Sequence, residues 1–292
     1  MHNKDLTFAF FGGEPLAVPT LDALEAAGLV PSLVVASPDR PVGRKQVLTP
    51  PPTKVWAAER GIDVLQPESL KERAALGPLL EREWDIFVVV AYNHILPKWL
   101  LEHPEHSTLN VHPSLLPLLR GPSPIRTAIL EDRRETGVTV MLMDEKMDHG
   151  PILAQEILEL QEDEWPLSGP ELDHRLAVLG GELLVDTIPA WVNEEIEPQE
   201  QPHEFATYTK KFTREDGKLD IDPYHLPTDR AAYEMLLKIR AFEGFPETYF
   251  EHDGQRIKIK AAALDERGRL QIDRIVPAGR SEVAFRDYFP GV

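Results

Sequence analysis

Residues 85–91 read Asp-Ile-Phe-Val-Val-Val-Ala (DIFVVVA), one charged residue followed by an unbroken apolar run. A strand that is apolar at every position, and not only at alternate ones, is typical of a parallel sheet covered by helices on both faces. Shorter apolar runs stand at 6–11 (LTFAFF), 32–36 (SLVVA) and 108–111 (TLNV), with segments of helical spacing between them. The first part of the chain therefore predicts a Rossmann-like, doubly wound, mainly parallel α/β sheet.

The pattern changes along the second half of the chain. Residues 137–143 and 152–160 predict two further strands, and 172–192 have the spacing of a helix. Segment 193–202 (NEEIEPQEQP) is acidic, contains proline and has no periodicity, which is typical of a linker. Beyond the linker, one helix pattern is followed by several short strand patterns. This arrangement predicts a smaller C-terminal OB-like β-barrel domain. We expect an α/β domain over 1–196, a linker over 197–206 and the barrel over 207–292.

Composition restricts the classes of function. The chain has 292 residues, no cysteine and a net charge of −18, which excludes a disulfide scaffold, thiolate metal sites and a thiol nucleophile. Residues 154–204 hold 14 acidic side chains and one arginine, a balance of −13, so the acidity is concentrated in one segment. A general nucleic-acid coat protein is therefore not expected, although local RNA contacts elsewhere remain open. We expect a cytoplasmic protein without a membrane span.

The common nucleotide motifs are missing. The first strand pattern ends in Gly12-Gly13-Glu14-Pro15, which places a negative charge and a proline where a pyrophosphate requires N–H donors. The sequence also contains neither a phosphate-binding P-loop nor a G-x-S-x-G nucleophile elbow. The sheet is therefore expected to serve a chemistry other than dinucleotide or ATP binding.

Polar residues appear where one strand pattern ends. Asn110 and His112 are two positions apart, so both side chains project from one face at the carboxyl end of a parallel strand. Asp148 stands on the polar loop 143–150 between two apolar strands. An amide, an imidazole and a carboxylate suit the transfer of a carbonyl carbon between nitrogens. The alternative is that Asn110 and His112 satisfy backbone groups at the strand end and Asp148 shapes a turn.

Seven stretches, in order along the chain, carry a resemblance to a known family. They are FFGGEPLAVPTLDAL at 10–24, PDRPVGR at 38–44, VVVAYNHILP at 88–97, NVHPSLLPLLRG at 110–121, ETGVTVMLMDEKMDHGPIL at 135–153, TYTKKFTREDGKLD at 207–220 and RAFEGFP at 240–246. The run 110–121, followed by D-x-G-P-I-L, resembles the 10-formyltetrahydrofolate-dependent formyltransferases. The PDRPVGR loop and the later TYTKK and RAF segments are similar to the branch that formylates methionyl initiator tRNA.

The resemblance implies roles for particular residues. Asn110, His112 and Asp148 match the catalytic triad of the family, and its tetrahydrofolate segment matches Ser114, Leu115, Leu116 and Pro117. Loop 39–52 and the C-terminal domain match the parts that contact tRNA, and the basic candidates there are Arg40, Arg44, Lys45, Lys210 and Lys211. The resemblance further implies 10-formyltetrahydrofolate as formyl donor, initiator methionyl-tRNA as partner and no metal. We expect the donor between 88–97, 114–117 and 143–150, and a monomer.

Two other functions stay open. An amino-sugar or nucleotide-sugar N-formyltransferase would share the triad and the donor but would have no need of the PDRPVGR loop. A folate- or RNA-binding relative without activity would have no need of all three triad groups.

Overall fold

The computed structural model describes residues 6–43, 45–161 and 163–291. The strands are β1 (Phe8–Phe11), β2 (Leu33–Val35), β3 (Arg40–Val42), β4 (Val47–Thr49), β5 (Val64–Leu65), β6 (Ile86–Val90), β7 (Thr108–His112), β8 (Gly137–Leu142), β9 (Ile152–Ile157), β10 (Tyr249–His252), β11 (Gln255–Leu264), β12 (Leu270–Pro277) and β13 (Val283–Ala284). The helices are α1 (Ala17–Ala26), α2 (Pro52–Glu59), α3 (Gly77–Leu80), α4 (Lys98–Leu101), α5 (Pro124–Leu130), α6 (Gly169–Val192), α7 (Asp229–Ala241) and α8 (Phe285–Tyr288).

Seven strands form the main sheet, in the order β5-β2-β1-β6-β7-β8-β9. The first five run parallel, whereas β8 is antiparallel to both β7 and β9. Every residue of β1 and β6 is buried, which explains why their sequences are apolar throughout rather than alternating. The predicted doubly wound, mainly parallel sheet is confirmed. Strand order reverses at β1, and in such sheets ligands bind beyond the carboxyl ends of the strands at this point.

The C-terminal part contains a separate antiparallel sheet in the order β10-β11-β12-β13. Its core is formed by residues from these strands and from α7 and α8, among them Leu236, Phe250, Leu270, Ile275 and Phe285. Four short antiparallel strands with one long helix are consistent with the small barrel-like domain that the sequence predicts.

The described residues form two compact units, and their limits differ from the predicted ones. The N-terminal unit comprises the described residues of Met1–Arg120, Thr136–Leu158 and His174–Tyr208; the C-terminal unit comprises those of Gly121–Glu135, Glu159–Asp173 and Thr209–Val292. Segment 121–135 joins the C-terminal unit because its helix α5 packs against α7. Arg126 also forms a two-point ion pair with Asp173, with N–O distances of 2.6 and 2.7 Å. The division into domains stays a prediction.

The expected linker is ordered against the main sheet. The backbone N–H and C=O groups of Gln199 pair with those of Ile152, both at 2.8 Å. Residues His203–Phe205 then form one turn of 3-10 helix. Acidity and proline content indicate exposure, but they do not reveal such backbone pairing with a distant strand.

Loop 39–52 contains a β-hairpin that the sequence analysis did not predict. Strands β3 and β4 pair antiparallel, with Arg40 opposite Thr49 and Val42 opposite Val47. All six strand residues are exposed, including Val42, Val47 and Leu48. Gly43 supplies the positive φ (71°) that the tight connection requires, and Arg44 lies outside the described residues. Across the described chain, no helix combines the length and the apolar character needed to span a bilayer.

Candidate active site

Strand β7 carries the first two candidate residues into the N-terminal unit. Asn110 pairs in register with Val89 of β6 and Met141 of β8, and His112 stands opposite Thr139 of β8. Asn110 is half-buried and His112 is 5% exposed. Both side chains therefore project from the same face of the strand at its carboxyl end, where the sequence places them.

The ring of His112 is held through one nitrogen and faces a carboxylate with the other. Its Nε2 lies 3.0 Å from the carbonyl oxygen of Leu119. Because a carbonyl only accepts, Nε2 carries the proton in this arrangement. The other nitrogen, Nδ1, lies 3.7 Å from Oδ1 of Asp148. In the neutral ring Nδ1 is bare, and a proton taken up there would face a carboxylate.

Asp148 lies on the connection between β8 and β9 with a φ of 50°, a conformation that aspartate tolerates better than most residues. The same loop is shaped by Asp144, which accepts from the Lys146 N–H at 2.8 Å and lies 2.6 Å from Nδ1 of His149. Asp144 thus orders the loop while Asp148 faces His112. The structure therefore places Asp148 close to His112. It also places Asp148 in a turn, as the alternative interpretation expects.

The candidate folate segment is a tight turn directly after β7. Ser114 is buried and donates through Oγ to the carbonyl of Leu118 at 2.6 Å. The Leu116 N–H donates to Oγ1 of Thr139 at 3.1 Å, and its carbonyl accepts from Gln155 at 2.8 Å. Leu115 and Pro117 are half-buried, and the peptide bond between Leu116 and Pro117 is cis.

Two loops carry exposed apolar side chains, on segments that the sequence assigns to the donor site. Ile95, in the loop after β6, is 85% exposed, and Met147, next to Asp148, is 61% exposed. The loop after β6 begins at Ala91 with a φ of 47°, and its Asn93 donates to Glu14 at 2.7 Å. Glu14 therefore binds this loop. Its negative charge stays unfavourable for a pyrophosphate, as the sequence indicates.

Tyr92 is a buried titratable group beside these loops. It is 8% exposed, packs against Phe11 with ring centroids 5.7 Å apart, and its hydroxyl has no hydrogen-bond partner among the described residues. Burial raises the pKa of Tyr92 to about 12. The hydroxyl is therefore neutral at physiological pH.

The basic candidates belong to different units. In the N-terminal unit, Arg40 is exposed and pairs with Glu68 at 3.2 Å, and Lys45 is exposed in the turn of the hairpin. In the C-terminal unit, Lys211 is exposed and Lys210 pairs with Asp216. Hydrogen bonds from Lys210 and Thr213 lower the pKa of Asp216 to about 2. Arg44 lies outside the described residues.

Four polar residues in the N-terminal unit were not predicted from the sequence, namely Arg120, His149, Gln201 and His203. Arg120 is 1% exposed and Gln201 is 3% exposed, and they bond to each other. The rings of His149 and His203 stack with centroids 4.0 Å apart. Arg120 stands within the quoted stretch 110–121, which was a usable signal, whereas Gln201 lies in the expected linker. Within the described part of the chain, no group of three His, Asp or Glu side chains could hold a metal ion.

Comparisons with known proteins identify the family of the chain. The family model described as Formyl transferase matches residues 6–188. A methionyl-tRNA formyltransferase of Chloroflexus aggregans is 44% identical over 87% of this chain and 79% of its own length. A methionyl-tRNA formyltransferase of Halalkalibacterium halodurans is 36% identical over 98% of this chain and 95% of its own length.

Solved structures share the fold at lower sequence identity. A methionyl-tRNA formyltransferase from Clostridium thermocellum superposes with a TM-score of 0.61 at 14% identity, covering 93% of this chain and 98% of that one. A sugar N-formyltransferase from a Shewanella species gives a TM-score of 0.65 at 20% identity, covering 88% and 98%. At these identities the structures establish the fold alone.

Proposed function

Because the chain belongs to the formyl transferase family, and within it to the methionyl-tRNA formyltransferases, we propose that Asn110, His112 and Asp148 transfer a formyl group to the amine of methionyl initiator tRNA. The observation that carries the proposal is the ring of His112 at the end of β7, which is hydrogen-bonded to the Leu119 carbonyl at Nε2 and faces the Asp148 carboxylate with Nδ1. This is the place and the set of groups that acyl transfer between nitrogens requires.

Asn110 supplies a hydrogen-bond donor at the strand end. When an amine attacks the formyl carbon, negative charge develops on the formyl oxygen, and a half-buried amide N–H stabilises that charge more strongly than water does. The amide of Asn110 is half-buried and lies on the face that also carries His112. We assign Asn110 to this oxygen.

His112 and Asp148 handle the proton. The attacking amine must lose a proton and the leaving nitrogen must gain one. Because Nε2 of His112 is committed to the Leu119 carbonyl, Nδ1 is the atom that can take the proton. The carboxylate 3.7 Å away stabilises the imidazolium so formed and gives its positive charge a partner. That charge, on the same face as Asn110, also favours the developing oxyanion.

The residues around the predicted donor site fit 10-formyltetrahydrofolate. A pterin is flat and apolar on its faces and polar at its edges, and it is bound by apolar side chains together with convergent backbone groups. The apolar side chains are those of exposed Ile95 and Met147 and half-buried Leu115 and Pro117. The backbone groups are those of the turn at 114–117. When bound, the donor supplies the formyl carbon that the amine attacks.

The tRNA partner is supported by basic groups in each unit. The exposed hairpin β3–β4 presents Arg40 and Lys45, and an amino-sugar enzyme has no evident use for such a projection. The C-terminal unit has a cavity of about 240 Å³ lined by three cations, two aromatic rings and the carboxylate of Glu247, which pairs with Lys258; the remaining cations and the rings suit phosphate and stacked bases. The lining residues are Arg214, Gly244, Phe245, Pro246, Glu247, Tyr249, Arg256 and Lys258. We propose that both regions contact the tRNA.

The test offers purified protein 10-formyltetrahydrofolate together with either methionyl initiator tRNA or a set of amino sugars and nucleotide-linked amino sugars. We expect formylmethionyl-tRNA and no formylated sugar. Formylation of a sugar alone would favour the second candidate function. Tight folate binding with no transfer to any acceptor would identify a relative without activity. We further propose that the protein acts in the cytoplasm, with its substrate tRNA, and that it is a monomer.

A further inference from the structure

The guanidinium of Arg120 is enclosed in the N-terminal unit. It donates to Oε1 of Gln201 through Nε at 3.1 Å and through Nη2 at 2.6 Å. It also donates to the hydroxyl of Tyr208 at 3.2 Å, and its Nη2 lies 2.9 Å from Nδ1 of His203. A guanidinium has donors only, so His203 accepts at Nδ1 and carries its proton on Nε2. A cation of this size, 1% exposed, is strongly constrained by such contacts.

The orientation of the Gln201 amide follows from Arg120. Only an amide oxygen can accept two guanidinium N–H groups, so the NH₂ group must point the other way. There it donates to the backbone carbonyl of Asp148 at 3.0 Å and to that of Gly150 at 2.7 Å. One buried side chain therefore holds the loop on both sides of His149, at the residues that flank it.

Two consecutive residues, Leu119 and Arg120, thus fix the positions of His112 and Asp148. Leu119 holds the ring of His112 through its carbonyl, and the next residue, Arg120, holds Gln201, which holds the backbone of Asp148. We propose that Arg120 and Gln201 are positioning residues that set the distance between the His112 ring and the Asp148 carboxylate. This inference rests on the proposed function, because it assumes that His112 and Asp148 do the chemistry.

The stacked histidines add a second restraint on the same loop. His149 lies with its ring nearly parallel to that of His203, at an interplanar angle of 10°, and His203 is bound to Arg120. The carbonyls of Asp148 and Gly150 and the ring of His149 are therefore all tied, directly or through Gln201 and His203, to one guanidinium. A loop with a residue at positive φ is held in a single conformation by such contacts.

The decisive variant is Gln201→Glu. It keeps an oxygen for Arg120 but replaces the NH₂ group by a carboxylate oxygen that repels the carbonyls of Asp148 and Gly150. We expect kcat for formyl transfer to fall about 10- to 100-fold while KM for the donor and for methionyl-tRNA changes less than about twofold. The matched control is Gln199→Ala, since Gln199 is exposed and pairs only through the backbone in the bonds described above. It should keep the kcat of the parent protein.

A readout independent of activity is the ¹⁵N signal of the His112 ring. We expect Gln201→Glu to shift this signal and Gln199→Ala to leave it unchanged, because only the former moves the Asp148 carboxylate. If Gln201→Glu fails to fold, Gln201→Met retains the volume but removes both the acceptor for Arg120 and the donor to the loop, and it should shift the same signal. A parent protein without transferase activity would refute the proposed function, yet the ring signal would still test the positioning.

Coupling between the two residues completes the test. If Arg120 acts through Gln201, then Arg120→Lys combined with Gln201→Met should lower kcat no more than the more severe single variant does. Additive losses would mean that the residues act separately and would overturn the proposal. Folded Gln201 variants that keep kcat within about twofold, or that lose folate binding in proportion to kcat, would overturn it as well.

Discussion

At the scale of single residues, His112 depends on a bond that the sequence does not reveal. Its Nε2 is tied to Leu119, seven positions ahead, and this bond decides which ring nitrogen is available for a proton. The amide of Asn110 and the ring of His112 act on different atoms of the reaction, the oxygen and the nitrogen. Removing either should therefore lower the rate without preventing the other from acting.

We expect Asn110→Ala and His112→Ala each to lower kcat by about 100- to 1000-fold, since oxyanion donors and acid–base groups are typically worth this much. Steady-state formylation assays measure the loss, and circular dichroism with thermal unfolding establishes that the variants are folded. His225→Ala is the control, because that ring is exposed and, among the residues that the structure describes, pairs only with nearby Asp222. Normal turnover with either active-site variant would remove that residue from the mechanism.

Tyr92 yields a prediction about stability and pH. Its hydroxyl is buried without a described partner, so Tyr92→Phe should raise the free energy of unfolding at pH 7 by up to about 1 kcal/mol. Burial raises its folded pKa to about 12 from an ordinary 10. Between these values the unfolded chain has lost a proton that the folded chain keeps, so stability falls as pH rises.

The parent protein should thus lose about 1 kcal/mol more than Tyr92→Phe between pH 9 and pH 11. Urea unfolding of both proteins at each pH measures the difference, and other groups that titrate in this range cancel in the comparison. An equal loss in the two proteins would mean that Tyr92 titrates normally in the folded state.

The residues of the site were predictable where they lie in recognisable sequence patterns. Asn110 and His112 share one strand pattern, and Asp148 lies in a separate motif, so all three could be proposed from the sequence. Gln201 was not predictable, because its role depends on contacts with Arg120 and with a loop more than fifty residues away. Nothing in a proline-containing acidic segment distinguishes a buried glutamine from an exposed one.

At the scale of secondary structure elements, apolar runs were reliable and short exposed strands were not. Strands β1 and β6 are buried on both faces, and every one of their residues is therefore apolar. Strands β3 and β4 have three residues each and bury none of them, so they are too short to show an alternation of apolar and polar residues. Helix α5 was not predicted either, because it has only seven residues and five of them are buried, so it shows no separate polar face.

The loop after β8 depends on the absence of a side chain at Gly150. A Cβ atom there would lie 2.0 Å from the carbonyl oxygen of Leu142, a backbone atom that cannot move aside. We expect Gly150→Ala to lower the free energy of unfolding by about 2–3 kcal/mol and to reduce kcat, because the chain must shift next to Asp148. Chemical denaturation and the formylation assay measure the two effects.

Gly77→Ala is the matched control for this substitution. Its Cβ would meet only the flexible end of Glu81 at 3.4 Å, and the residue has helical dihedral angles. Stability should be unchanged or higher by up to about 1 kcal/mol. If the two variants had similar stability and activity, the tight contact at Gly150 would not constrain the catalytic loop.

At the scale of the whole molecule, net charge opposes substrate binding, since a protein with a charge of −18 has to bind a polyanion. Residues 154–204 hold −13 of this charge, and their repulsion of RNA is largely screened at physiological salt wherever the RNA lies more than a Debye length of about 8 Å from them. Binding then depends on local cations. Of the four predicted basic residues that the structure describes, Arg40 and Lys45 belong to the N-terminal unit and Lys210 and Lys211 to the C-terminal unit.

We therefore expect tRNA binding to be local and dependent on salt. Each phosphate that is neutralised contributes about −0.7 to −0.9 to the slope of log affinity against log salt, so five contacts predict a slope of about −3.5 to −4.5. Lys45→Ala should weaken tRNA binding and flatten this slope by about one contact, with folate affinity unchanged. Lys71→Ala removes an exposed lysine outside the predicted interface and should change neither. Filter binding across a salt series measures both quantities, and calorimetry with folinic acid measures folate affinity. If Lys45→Ala instead lost folate affinity and kept the tRNA slope, the hairpin would belong to the donor site and not to the tRNA interface.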